Sequence, residues 1–496
     1  MCGIVGFISN ENIGSVSNLA LQAIQHRGQD AAGIGMLLEN GRFSVLKDLG
    51  QVTQALPSIS YDGGGVSIGH VRYPTLGGSN REDAQPFFCR QPGVIMAYNG
   101  NIINYNEIKD YLKGRSIYLS SSCDMEPVLY VFSDVLMKIK ASEQKASDVV
   151  AALKETYKIV KGSFSIVCAM TIDGKPTLFA ARDPYGLRPG IWGQVNNGYI
   201  VASESVSIDA VNGKMQGDIP PGEVMFFRPG EKPQSYVVEK KGHNPCVFES
   251  IYFARPDAVM EGKSIYVTRI ELGNRLGEEF KQKKIDVDVV VPVPDTSIPA
   301  AIAIAEVIKK PFREGFIKNR YTGRTFIMPT QKIREMALRL KLNPIIAEIK
   351  DQRILLVDDS IVRGTTLRRV VSLLREKGAK EIHLAIHCPP VISPCFYGID
   401  MSVKEDLIAY RECKAMGLDR NGGLSLADQR KLEERMAKTI GADSLTFLSV
   451  KGLEDIFGKE RCSACFDSNY PLEVPLELED QIRCDRIGVS CDLVET

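Results

Sequence analysis

The apolar positions of this chain follow two rhythms, and the change between them near residue 250 predicts how it is organised. Over roughly the first 235 residues, short apolar runs alternate with glycine turns. Residues 66–73 and 94–98 read as strands, and 163–182 reads as two strands folded about Asp173-Gly174, a good hairpin signal. Helical stretches intervene at 16–25 and 147–161. Hairpin-paired strands with helices grouped between them predict an α+β layered domain. Pro220-Pro221-Gly222 and the polar stretch 228–241 predict a linker.

Beyond residue 250 the strands become almost continuously apolar. Residues 286–293 are followed by a helix-like 300–310, and 353–357 by a helix and then by 381–386. Strand, helix, strand in that form predicts an α/β unit with a parallel sheet covered on both faces. A helix over 365–377 places Leu367, Val370, Val371 and Leu374 on one face, and Gly378 ends it. The expected divisions are 1–235, 236–450 and a C-terminal tail, 451–496, which holds Cys462, Cys465, Cys484 and Cys491.

Composition narrows the function mostly by exclusion. Lysine plus arginine equals aspartate plus glutamate, 61 against 61, so no global basic field attracts nucleic acid or an anionic membrane. Any anionic ligand needs a local site. No apolar run reaches membrane-spanning length, and no basic segment precedes a long apolar stretch at the N-terminus, so a cytoplasmic protein is expected. Twelve cysteines in such a chain argue for a nucleophile, a metal centre or buried thiols rather than a disulfide framework. Internal repeats are absent.

The turn Val357-Asp358-Asp359-Ser360-Ile361-Val362-Arg363-Gly364-Thr365-Thr366 carries the clearest binding chemistry. A turn that leaves a parallel strand and opens a helix aims backbone N–H groups at its ligand. Gly364 permits close approach, and Thr365 and Thr366 add hydroxyls suited to a phosphate. Asp358 and Asp359 would repel phosphate, so they need ribose hydroxyls or a hydrated Mg²⁺. The turn therefore specifies a sugar phosphate rather than a bare anion. Its order of residues resembles the phosphoribosyl pyrophosphate (PRPP) loop of type I phosphoribosyltransferases. Pro294-Asp295-Thr296-Ser297 ends the neighbouring strand and should border the same crevice. The basic segment with Lys318, Arg320, Arg324 and Arg334 could close over a pyrophosphate leaving group.

At the other end, Cys2 follows Met1 directly. Once that methionine is removed, an α-amine of pKa roughly 7.7–8.0 sits beside a thiol of about 8.5, so one residue carries both nucleophile and base. A small buried cysteine in a first strand is the plainer reading. The surrounding motifs favour the nucleophile. Cys2-Gly3-Ile4-Val5-Gly6, His26-Arg27-Gly28, Gly69-His70-Val71-Arg72-Tyr73-Pro74-Thr75, Asn99-Gly100-Asn101 and Ser122-Cys123-Asp124-Met125-Glu126 resemble the class II, N-terminal-nucleophile glutamine amidotransferases.

Together with the PRPP loop, and with Phe253-Ala254-Arg255-Pro256-Asp257 and Phe396-Tyr397-Gly398-Ile399-Asp400, nearly the whole chain resembles the amidophosphoribosyltransferases. That resemblance implies an αββα layered glutaminase domain joined to a phosphoribosyltransferase domain. It implies Cys2 as nucleophile, Asn99 and Gly100 as oxyanion hole, and Arg72, Asp124 and Arg27 around the glutamine. His26 and Arg27 are read as supporting loop geometry more than chemistry. PRPP would be met by Asp358, Asp359, Ser360, Val362, Arg363, Gly364, Thr365, Thr366, Lys318 and Arg324, with Ser297, Asp358 and Asp359 near Mg²⁺. Purine nucleotides would act as feedback inhibitors, and a tetramer or dimer is implied. Met125 departs from the family, which carries a small hydroxyl residue there, so one contact near the glutamine is in question.

Cys462-Ser463-Ala464-Cys465 fits a zinc knuckle, a redox pair or chance. The resemblance implies a [4Fe–4S] cluster on this pair with Cys246 and Cys395, Cys388 being the competing position; four thiolates would equally suit Zn²⁺. Two rivals remain. A sugar-isomerising or asparagine-forming amidotransferase would share the first half but needs a different acceptor domain. A catalytically silent relative that binds purine nucleotides would not need Cys2, Arg72, Asp124 and both loop aspartates intact.

Overall fold

The structure is a computed structural model that describes residues 2–57, 59, 61–73, 80–139, 143–319, 342–418, 422–475 and 478. Two stacked sheets organise its first half. One has seven strands in the order Lys214–Asp218, Ile191–Val195, Gly198–Ala202, Gly3–Glu11, Gly63–Arg72, Ala31–Leu38 and Phe43–Leu49. The other has six, in the order Gln234–Val237, Glu223–Phe227, Lys175–Arg182, Gly162–Ile172, Val94–Ile102 and Phe87–Cys89.

Side-chain alternation along the strands builds three cores between four layers. In Gly3–Glu11, Ile4 and Ile8 point into the space between the sheets, where they meet Ile68, Ile95, Val167, Leu178 and Phe227. Val5 and Phe7 point the opposite way, toward Leu21 and Ile24 beneath the helix Ile13–Ala23. On the second sheet Met96 and Tyr98 face Leu129 and Phe132 of the helix Met125–Lys138. Gly6 shows how closely the sheets approach, because a Cβ there would lie 2.7 Å from Leu178 Cδ1. This is an αββα sandwich. The hairpin expected about Asp173-Gly174 joins Gly162–Ile172 to Lys175–Arg182, with both turn residues at positive φ.

The stretch expected as a linker is not one. Glu223–Phe227 and Gln234–Val237 pair antiparallel and extend the second sheet at its edge, so Gln234–Val237 straddles residue 235. Its four residues are exposed on an edge strand, which is why their polarity imitates a linker.

In the second half, four parallel strands run in the order Val289–Pro292, Arg353–Asp358, Glu381–Ile386 and Ser444–Phe447. The first is shorter than the apolar run suggested. Asp286 and Asp288 lie outside it and hold Arg353 at 2.7 Å each, and Asp286 also takes Lys310 at 2.8 Å. The helix Thr365–Glu376 buries Leu367, Val370, Val371, Leu373 and Leu374, and Gly378 follows at φ 88°. Phe316–Lys318 pairs antiparallel with Leu342–Pro344. Arg320, Arg324 and Arg334 fall between these strands, outside the described residues, as do Cys484 and Cys491. No helix among the described residues is long and apolar enough to cross a membrane.

Candidate active sites

Cys2 precedes the central strand of the first sheet, whose Gly3 pairs with Val71 and so places the thiol beside the end of Gly63–Arg72. The half-buried thiol lies 3.5 Å from the Tyr73 carbonyl oxygen, and the Cys2 backbone nitrogen lies 3.4 Å from Asn99 Oδ1. Asn99 Nδ2 is buried without a hydrogen-bond partner. A donor left open in that way carries a desolvation cost unless an acceptor arrives. Gly100 follows on the same strand, where a Cβ would lie 2.1 Å from the Ser163 carbonyl oxygen.

Arg72 Nη1 donates to Cys123 Sγ at 3.2 Å, and Nη2 lies 3.8 Å from Asp83 Oδ2. Arg72 is within electrostatic range of Cys2, and Asp124 within range of Arg72. Burial raises the Asp124 carboxyl above the usual range, although one of its oxygens accepts the Ile102 N–H at 3.0 Å. Such a carboxylate gains from a cation brought to it. Met125 is fully buried in the helix-side core, so its side chain is used in packing. Two buried acids in this region were given no role from sequence: Glu126, quoted only as the end of a motif, and Asp83, not singled out. Glu126 accepts the backbone N–H and the hydroxyl of both Ser120 and Ser121, and Asp83 accepts those of Ser122. A run of three serines beside an acid was the available signal.

Arg27 sits behind the nucleophile. Its fully buried guanidinium donates to the Cys2 carbonyl at 3.0 Å, to Glu204 at 2.6 Å and to Glu249 at 2.9 Å. Those bonds engage Nε and both terminal nitrogens. His26 bonds the same Glu204 oxygen at 2.8 Å.

The second site lies at the carboxyl end of Arg353–Asp358. Gly364, at φ 73°, turns the chain into Thr365–Glu376, and Thr365 and Thr366 stand exposed at the helix start. Asp359 Oδ1 accepts Thr296 Oγ1 at 2.7 Å, and its other oxygen accepts Ser360 Oγ at 2.5 Å. Asp358 Oδ1 accepts Ser297 Oγ at 3.3 Å. Burial, and then the charge of Asp359, hold the Asp358 carboxyl well above the usual range; burial raises Asp359 too, with Arg269 opposing it. Two crowded carboxylates with a hydroxyl nearby suit Mg²⁺, which keeps waters and takes one or two carboxylates plus substrate phosphates. Lys318 pairs with Asp295 at 2.7 Å, whereas Arg363 turns outward to Asp406 at 3.2 Å. Val362 is half-buried, and Arg324 lies outside the described residues. Thr296 was named from sequence only as part of the turn bordering this crevice, and Arg269 was not singled out.

Four cysteines from three distant segments share one neighbourhood. Val247 N donates to the Cys462 carbonyl at 3.2 Å and Cys462 N to the Pro245 carbonyl at 3.0 Å, which sets Cys246 beside Cys462. The Cys465 carbonyl accepts from Ile392 and Ser393, drawing in the segment that carries Cys395. All four thiols are free. Burial raises Cys246 to about 11, with the buried Arg188 pulling it down. Cys388 is buried and donates its thiol to the Pro389 carbonyl at 3.2 Å. Among the described residues no group of three or more His, Cys, Asp and Glu is placed to hold a metal ion.

The two halves meet beside the first site. Asn101 Nδ2 donates to the Phe396 carbonyl at 2.9 Å, Ser163 Oγ to the Tyr397 carbonyl at 2.8 Å, and Tyr73 OH to Asp400 at 3.1 Å.

Family models match the chain as a glutamine amidotransferase domain over residues 72–210 and a phosphoribosyl transferase domain over 269–391. The amidophosphoribosyltransferase of Pasteurella multocida is 40% identical over 465 residues, covering 91% of this chain and 88% of its own. That of Methanothermobacter thermautotrophicus is 38% identical, covering 97% and 96%. The solved structure of glutamine PRPP amidotransferase from B. subtilis, complexed with ADP and GMP, superposes with a TM-score of 0.81 at 34% identity, covering 96% of this chain and 98% of that one.

Proposed function

The chain belongs to the amidophosphoribosyltransferase family, and from that premise we propose how its residues divide the reaction. The enzyme amidates PRPP with nitrogen from glutamine, giving 5-phosphoribosylamine, glutamate and pyrophosphate, the first committed step of purine synthesis. The observation that carries the assignment is the open Asn99 Nδ2 beside the half-buried Cys2 thiol.

With Met1 removed, the α-amine of Cys2 takes the thiol proton as sulfur attacks the glutamine side-chain amide. Asn99 Nδ2 and the Gly100 N–H receive the oxyanion, a donor of this kind contributing about 3–4 kcal/mol. Ammonia leaves, and water then releases glutamate from the thioester. Arg72 grips the substrate α-carboxylate and Asp124 its α-ammonium, which separates free glutamine from a peptide. Arg27 is assigned to holding the Cys2 carbonyl rather than the substrate, because its donors are engaged. Ammonia in water would be mostly protonated, so it passes through a sheltered route to C1 of PRPP, where it displaces pyrophosphate.

In the second half, backbone N–H groups of Ser360, Val362, Arg363 and Gly364, with the hydroxyls of Thr365 and Thr366, hold the 5-phosphate, and Lys318 and Arg324 meet the pyrophosphate. Asp358 and Asp359 orient the ribose. Mg²⁺ bound near Ser297, Asp358 and Asp359 would neutralise the pyrophosphate charge. Asp358→Asn or Asp359→Asn should lower both the glutamine-driven and the ammonia-driven rates by about 100-fold. Cys2 should still be labelled by a glutamine analogue. If only the glutamine-driven rate falls, the assignment of the turn is wrong.

The domains read as 1–235, 236–450 and 451–496, with the qualification that the first sheet pair runs through Val237. Cys246, Cys395, Cys462 and Cys465 would hold a [4Fe–4S] cluster that ties the tail to the junction. Anaerobically purified protein should contain about four irons and four labile sulfides per chain, and Cys462→Ser should lose most of both. Zinc without sulfide would reject the cluster. Purine nucleotides are expected to inhibit, since the B. subtilis protein was solved with ADP and GMP. A cytoplasmic dimer or tetramer without nucleic-acid or membrane partners completes the reading. Transfer of ammonia to fructose 6-phosphate or aspartate but not PRPP, or no glutamine-dependent pyrophosphate release at all, would overturn it.

A further inference from the structure

Arg72 and Asp124 come from different layers. Arg72 ends a strand of the first sheet, and Asp124 precedes the helix Met125–Lys138 that covers the second. Two groups meant to grip opposite charges of one amino acid must keep a fixed spacing, yet among the described residues no backbone ladder joins their segments. Asp83 bridges that gap. It is 1% exposed, accepts Ser122 N at 2.7 Å and Ser122 Oγ at 2.9 Å, and stands 3.8 Å from Arg72 Nη2.

The segment carrying Asp83 is itself pinned from both sides. Lys47 Nζ, from the strand Phe43–Leu49 of the first sheet, donates to the Ala84 carbonyl at 2.5 Å and to the Glu82 carbonyl at 3.3 Å. Gln85 Oε1 accepts the Tyr98 N–H of the second sheet at 2.9 Å, one residue before Asn99. The carboxylate is thus held between an arginine and the loop leading to Asp124.

We propose that Asp83 is the positioning residue that sets the enzyme's requirement for the α-carboxylate of glutamine, by fixing Arg72 relative to the 122–124 loop. In this role it acts through Arg72 and Ser122 rather than on the substrate itself. This deepens the assignment of Arg72 above and rests on it. Asp83→Asn keeps an acceptor for Ser122 but removes the charge that faces Arg72, so it separates the two contacts. Asp83→Ala removes both.

The test compares glutamine with 4-aminobutanamide, which is glutamine without its α-carboxylate, and uses ammonia as a third nitrogen source. For D83N, kcat/KM with glutamine should fall about 30-fold, mainly through KM, as expected when one member of a buried charge pair is lost. With 4-aminobutanamide it should change less than about threefold, and the ammonia-driven rate should hold, which also reports an intact fold. D83A should lose activity with both amides. Equal losses on glutamine and 4-aminobutanamide in D83N, or no loss on either, would refute the positioning role. Arg72→Lys is the control. If it keeps the preference for the α-carboxylate, the assignment of Arg72 fails and this proposal with it; if it loses the preference while D83N does not, the Asp83 proposal fails alone.

Discussion

Cys2→Ala should abolish the glutamine-driven reaction, by at least about 10⁴-fold in kcat, because removing a nucleophile removes the covalent route altogether. The ammonia-driven reaction should stay within about twofold of the parent. The structure supports the second half of that expectation as firmly as the first. Cys2 is half-buried and its sulfur meets the Tyr73 carbonyl, so truncation opens no core cavity. The bond from Arg27 to this residue goes to the backbone carbonyl, which alanine retains. Pyrophosphate release measured with glutamine and then with ammonium salts at alkaline pH separates the two reactions. Were both to fall together, nitrogen release and nitrogen capture would not be separate sites, and the division of labour proposed for the two halves would be lost.

Much of this arrangement was legible in the residues because local chemistry determined it. The 353–386 strand–turn–helix–strand unit depended on continuous apolar strands, a helix with a clear buried face and a glycine that must take positive φ, all of which are local. The same holds for the hairpin at Asp173-Gly174. What was not legible was set by partners distant in the chain. The edge hairpin of the second sheet was mistaken for a linker because an exposed edge strand has polar residues for the same reason a linker does. The first parallel strand was overextended because Asp286 and Asp288 answer to Arg353, some sixty-five residues away. Asp83 could not be singled out, since a buried carboxylate and an exposed one look alike until Ser122 and Arg72 are folded against it. Arg27 stood in a motif near the nucleophile, and only its three partners show that it holds the backbone of Cys2.

Those partners make Arg27→Met the other large effect. Arg27 and Glu204 are fully buried, and Glu249 nearly so. Glu204 precedes the helix Val206–Ala210 of the layered half, while Glu249 opens the helical turn Glu249–Phe253 that leads into the second half and also holds Arg188 at 3.1 Å. The arginine therefore joins nucleophile, sandwich and junction. Methionine fills most of the volume but leaves buried carboxylates short of a cation, which costs about 3–5 kcal/mol. The denaturation midpoint should drop accordingly, and the glutamine-driven rate should fall well beyond the ammonia-driven one, because the Cys2 carbonyl loses its donor. A pH signature distinguishes this from a packing defect. Burial alone would raise Glu204, but His26 and Arg27 hold it down to about 2, below its ordinary 4.5. A carboxylate depressed in the folded state contributes stability above its unfolded value and loses it as the pH falls through the window from about 4.5 to about 2. The parent should lose stability across that window, and the variant, with Glu204 less depressed, should lose less of it. An unchanged midpoint together with an unchanged acid slope would mean that the buried network neither anchors the nucleophile nor couples it to the junction.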